Sequence, residues 1–192
     1  YIDLSIFQKA KKLFPSHLEN LLLRMDYLYR YLELYYSRSE LELTGLGTDT
    51  DPVRAREALR ERRDHDLDTV RYIRERIINL NEPSVVVDSP EAELAEIIGE
   101  LDNMRCRGID GESFSIITDL DRINLSIRKG SLNPDERREI ENHVIHTYNF
   151  VSRIPWPPEY RNIPAIALEH HELLDGSGYP YGLKGRENCL IQ

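Results

Sequence analysis

The stretch PSHLENLLLRMDYLYRYLELYY, residues 15–36, decides the fold class. Leu18, Leu21, Leu22, Met25, Tyr29, Leu32 and Tyr36 recur at three- and four-residue steps, which draws one apolar face along a long helix. Pro15 followed by Ser16 and Glu19 has the form of a capping box at its start. The Gly-, Thr- and Asp-rich TGLGTDTDP at 44–52 predicts a turn, and Asp51-Pro52 supplies a cap and first-turn proline for a second long helix. Its stripe runs through Val53, Ala55, Leu59, Val70, Ile73 and Ile77. The centre of that helix, RERRDHD at 60–66, is almost wholly charged; intrahelical ion pairs suit it, and it buries little on its own. Together the two helices predict an antiparallel hairpin or coiled-coil arm.

Beyond them, residues 81–90 break the pattern, with Val85, Val86 and Val87 either extended or tucked beneath a helix. That break divides an arm, residues 1–83, from a second helical domain, residues 84–192, which stops as a further element begins at Leu190-Ile191-Gln192. A third helix carries Leu94, Ile97, Ile98 and Leu101 on one face, and 105–113 form a loop. Asn133-Pro134-Asp135-Glu136 combines a cap, a first-turn proline and acidic residues that suit the helix dipole. The helix it opens is expected to reach about Phe150, where the proline-rich IPWPPEY ends it. Asn162-Ile163-Pro164 opens a last helix through Ile166, Leu168, His170, His171 and Leu174. No alternating strand pattern appears beyond the valines, so the fold class is all-α.

Composition narrows the function. The 192 residues are 31% charged and 40% hydrophobic, enough for one compact domain with a helical appendage. A net charge of −9 argues against a general nucleic-acid binder, so no DNA partner is expected. An anionic substrate remains compatible if metal ions supply local positive charge. Cys106 and Cys189 form no CxxC pair and read as reduced, buried thiols. No apolar run reaches the ~20 residues that span a bilayer. The expected location is cytoplasmic, within a longer parent that a membrane segment elsewhere could tether.

Chemistry concentrates in HHELLDGSGYP, residues 170–180. Adjacent helical residues point ~100° apart, so His170 and His171 on one helix would each serve one of two neighbouring metals. Beyond them Asp175-Gly176 ends the helix and Ser177-Gly178-Tyr179-Pro180 makes a tight loop. This string, continued by YGLKG, resembles the HHExxDGxGYP motif of HD-GYP domains, in the HD superfamily of metal-dependent phosphohydrolases. GSLNPDERREIENH at 130–143 is similar to the family's approach to a ligand histidine. The resemblance covers about residues 114–192, most strongly from 130 onward, an eleven-residue match being far more specific than a lone GxGxxG.

The resemblance implies a partial HD-type helical bundle that binds Fe, Mn or Zn ions and hydrolyses cyclic di-GMP or another cyclic dinucleotide. It implies His143, His170 and His171 as metal ligands, and Glu172, Asp175, Gly176, Gly178, Tyr179 and Pro180 as the motif and its loop. His146, three residues from His143, is kept as a neighbour. Arg128 and Lys129, in a basic cluster with Arg122, Arg137 and Arg138, are candidates for steering an anionic substrate. The chain also departs from the pattern. The family's His-Asp pair, about 30 residues before the position of His143 by motif spacing, falls on Phe114 and Ser115, and its lysine on Thr118. Asp119 and Asp121 lie nearby, and the literal His65-Asp66 reads as part of a solvated helix face. The alternative function is a non-catalytic signalling module, with a protein partner at the GYP loop and a homodimer through the long helices.

Overall fold

The computed structural model describes residues 4–45, 52–84, 88–104, 106–108 and 111–185. Val85–Val87, Asp51, most of the 44–52 turn, Cys189 and the terminal Leu190–Gln192 lie outside the described residues. The described residues form helices and irregular segments; two isolated antiparallel bridges, Arg107 with Ser113 and Asp175 with Lys184, are their only β pairing. The fold is all-α, as the periodicity requires. The chain divides into two compact units, Lys9–Ser131 and Tyr1–Gln8 with Leu132–Gln192.

The Lys9–Ser131 unit is built on α2 (Pro15–Gly45) and α3 (Pro52–Leu80). Arg60 reaches Glu40, Arg71 reaches Tyr29 and Arg74 reaches Asp26, pairings that only an antiparallel hairpin allows. Leu21, Met25, Leu28, Leu32 and Tyr36 of α2 are buried with Leu67, Val70, Ile73, Ile77 and Leu80 of α3. Full burial of such side chains contributes roughly 1.5–3 kcal/mol each before the entropy of ordering them is counted. The third layer is α4 (Pro90–Asn103), which adds Leu94, Ile97 and Leu101. Arg76 ties it to α3 by reaching Glu93 and Glu96.

Three details depart from the sequence reading. Pro15 is itself in the first turn of α2, so Ser16 lies inside the helix rather than at its cap. Val53 is exposed, because the buried stripe of α3 lies in its C-terminal half. Asp66 is buried, not solvated: the Tyr36 hydroxyl donates to it across the hairpin and Arg62 pairs with it one turn away. His65 alone keeps the exposed position expected of the pair. Burial, with the hydrogen bond to Asp66, pushes the Tyr36 phenol up to about 12.

The unit ends with α5 (Asp119–Leu125). Thr118 and Asp121 form a reciprocal capping box there, and Arg24 pairs with the buried Asp121. Asn81 closes the other end of the hairpin: its Oδ1 accepts the Leu13 N–H at 2.6 Å and its carbonyl accepts that of Lys12 at 3.1 Å.

In the second unit α1 (Leu4–Phe7) packs on α6 (Pro134–Glu141). Asn133 caps α6 through the N–H groups of Asp135 and Glu136, while the Glu136 carboxylate returns to the Asn133 N–H. The helix expected to run from here to Phe150 is divided at Asn142 into α6 and α7 (His143–Val151). The start of α7, with Val144 fully buried, lies beside the end of α8 (Ile163–Glu169), which brings His143 to the residues that follow α8.

Candidate metal centre

Helix α8 stops at Glu169, earlier than its sequence pattern suggests. His170 is the capping residue, and the chain turns at once, with the Glu172 N–H donating to the Glu169 carbonyl at 2.8 Å. The argument that the pair points ~100° apart on a helix therefore does not apply, since His171 lies past the helix end. The His170 and His171 rings are 4.1 Å apart, centroid to centroid, and the His143 ring lies 5.6 Å from one and 5.0 Å from the other. One ring nitrogen from each of the three falls within 4.8 Å of the others.

Two of the imidazoles are held in the same way. Nδ1 of His143 is 2.6 Å from the Ile140 carbonyl, and Nδ1 of His170 is 2.9 Å from the Ala167 carbonyl. A carbonyl can only accept, so each Nδ1 is the donor, and in the neutral ring Nε2 is then the nitrogen left for a ligand. A main-chain carbonyl behind the ring is the usual support of a metal-bound histidine. His171 is set differently: Tyr179 stacks on it at 4.6 Å with 20° between the planes. Burial, then the nearby His170 and His143, hold the His171 imidazole below its ordinary pKa, which favours the neutral, ligating form.

The GYP loop wraps this corner. The Tyr179 N–H donates to the His171 carbonyl at 3.2 Å, and the Tyr179–Pro180 bond is cis. Gly176 takes φ +79°, and Asp175 accepts from the Ser177 N–H and hydroxyl, which holds its carboxyl below the usual range. Gly178 answers to a different constraint. A Cβ there would fall inside 3.0 Å of the Leu173 nitrogen, the His171 oxygen and the Glu172 Cα, all backbone. Burial, then the Glu141 charge, pushes the Tyr179 phenol up, so it stays protonated at neutral pH.

Other sequence candidates lie elsewhere. His146 is exposed on α7 and outside the cluster. Arg128 and Lys129 belong to the Lys9–Ser131 unit, where Arg128 grips Glu91 at 3.1 Å. At the positions counted for the His-Asp pair, Phe114 packs against Tyr27 at 5.7 Å and the Ser115 hydroxyl donates to the Ile117 carbonyl. Asp121 is committed to Thr118 and Arg24. Among the described residues no carboxylate joins the three histidines. A tetrahedral ion with nitrogens at about 2.1 Å spaces its ligands about 3.4 Å apart, so this donor set fits one divalent ion after a modest closing of the rings. It does not fit two ions, because three neutral donors leave the charge of a pair uncompensated. What the sequence did not reveal is the place of Glu172: its carboxylate accepts from the N–H groups of Tyr181, Gly182 and Leu183.

A family model described as HD domain matches residues 121–187. A cyclic di-GMP phosphodiesterase of Thermotoga maritima is 43% identical over 67 residues, 35% of this chain. The chain matches only 17% of that protein's length. No solved structure matches. Over residues 121–187, a part of its length, this chain is similar to the HD domain family.

Proposed function

We propose that His143, His170 and His171 bind a divalent metal, Fe, Mn or Zn, and that the protein is an HD-type phosphodiesterase acting on a cyclic dinucleotide, cyclic di-GMP in the first instance. The observation that carries this reading is the shared Nδ1 support of His143 and His170, with one ring nitrogen from each of the three histidines within 4.8 Å of the others. Bound there, a divalent ion supplies positive charge for a phosphodiester and lowers the pKa of a water. The chain's own contribution is to orient the imidazoles, two through main-chain carbonyls and one through the Tyr179 ring. The Tyr179 hydroxyl, protonated at neutral pH, adds a donor beside them.

A second reading, a non-catalytic signalling module, draws on two observations. No described carboxylate completes the histidine set, and Leu173, Leu174 and Tyr181 stand exposed around the GYP loop, where a protein partner would dock. Exposed Leu34, Tyr35 and Leu41 on α2 are the surface through which the long helices would pair in a homodimer. No described helix is long and apolar enough to cross a membrane.

Metal analysis of the purified protein, with chromatography of cyclic di-GMP incubated with it, separates the readings. The phosphodiesterase reading expects about one bound ion per chain, lost in His143→Ala and in the double variant His170→Ala/His171→Ala, and a linear dinucleotide product. A metal-free protein without turnover would leave the signalling module.

A further inference from the structure

We propose that Glu172 is a positioning residue of the histidine centre: its carboxylate clasps the loop at Tyr181–Leu183 and thereby seats Tyr179 against His171. The inference rests on the reading of the three histidines as metal ligands.

Glu172 follows His171 directly and is 7% exposed. A carboxylate so buried is costly unless its lone pairs are met. Here they are met by backbone alone. Oε1 accepts from the Tyr181 N–H at 2.7 Å and the Gly182 N–H at 3.2 Å, and Oε2 accepts from the Leu183 N–H at 2.8 Å. Both oxygens are thus spent on the loop, and Glu172 does not join the clustered ring nitrogens despite its place in the motif. Bonds from N–H groups to an ionised carboxylate are about twice as strong as neutral ones, so three of them fix the chain immediately after Pro180.

The consequence is transmitted over a few bonds. Tyr179, two residues before the clasped segment, donates its N–H to the His171 carbonyl, and its ring lies on the His171 ring. Gly178 allows this close passage, which any side chain would block. His143 is oriented by the Ile140 carbonyl at the end of α6 and His170 by the Ala167 carbonyl of α8, whereas His171, past the helix end, takes its orientation from Tyr179. Loosening the clasp should therefore free one imidazole of three.

Glu172→Gln is the informative variant, because it keeps the shape but turns one oxygen into an NH2 that faces a backbone donor. Co2+ is the probe, titrated into the full chain and followed by its d–d absorbance, alongside NMR amide exchange. The expected result is a Kd raised about 10–100-fold, as for other supports of metal ligands, with a changed Co2+ spectrum. The Tyr181, Gly182 and Leu183 amides should exchange faster while those of α6 do not change. Tyr179→Ala removes the stack without touching the clasp, and its effect on affinity should overlap with that of Glu172→Gln rather than add to it. Co2+ affinity within twofold of wild type, full protection of the three amides, or additive effects would each overturn the proposal. If the wild-type chain binds no Co2+, the metal reading fails, and the amide exchange with the His171–Tyr179 NOE in Glu172→Gln still decides whether the clasp positions the ring.

Discussion

Gly178 shows how much can rest on a missing Cβ. Its backbone passes so close to His171, Glu172 and Leu173 that an added methyl must displace main chain rather than a flexible side chain. Gly178→Ala should destabilise the Leu132–Gln192 unit by about 2 kcal/mol or more, read as faster amide exchange through the GYP loop. Tyr36 makes a comparable case inside the hairpin. Tyr36→Phe removes the hydroxyl that meets the buried Asp66, an expected loss of about 1–3 kcal/mol at neutral pH in urea unfolding. The pH dependence follows from the raised phenol. Above pH 10.0 the unfolded chain deprotonates first, so the stabilisation is complete below that value and fades as pH approaches about 12. In Tyr36→Phe that part of the alkaline slope should vanish.

At the scale of elements, the second unit depends on how its short helices begin and end. Helix α6 runs from Pro134 to Glu141, too short to persist on propensity alone, and its capping box meets N–H groups that would otherwise be orphaned. Asn133→Ala removes the acceptor for two of them and should cost about 1 kcal/mol, measured by thermal unfolding followed by amide signals of α6. The early end of α8 matters more for the site. Were the helix to continue through His171, the two rings would diverge; ending it at Glu169 lets the backbone turn both toward His143.

For the molecule as a whole, the two units answer to different forces. The Lys9–Ser131 unit holds the large apolar cluster of α2, α3 and α4, whereas the Leu132–Gln192 unit has Val144 as its fully buried apolar side chain among the described residues. A ligand that binds the histidines should therefore show its effect locally. Zn2+ at 100 times its Kd is expected to add about 2.7 kcal/mol of protection. Hydrogen exchange should register it in α7, α8 and the loop to Gly185, with the α2–α3 core unchanged. Equal protection of both units would contradict this.

From the sequence alone came the all-α class, the paired long helices, the third helix face and the motif that carries the family resemblance. All of these are carried by local periodicity or by contiguous residues. Asp66, read as solvated, is buried because a tyrosine thirty positions earlier meets it across the hairpin, and no local pattern encodes that partner. The same holds for the site. HHELLDGSGYP and the cap before His143 are legible in the chain, but the end of α8 and the three-ring cluster are not. Nor is the turning of Glu172 toward the loop. They depend on which backbone groups meet after the chain folds back, and a carboxylate goes where unpaired N–H groups are, which only the tertiary structure decides.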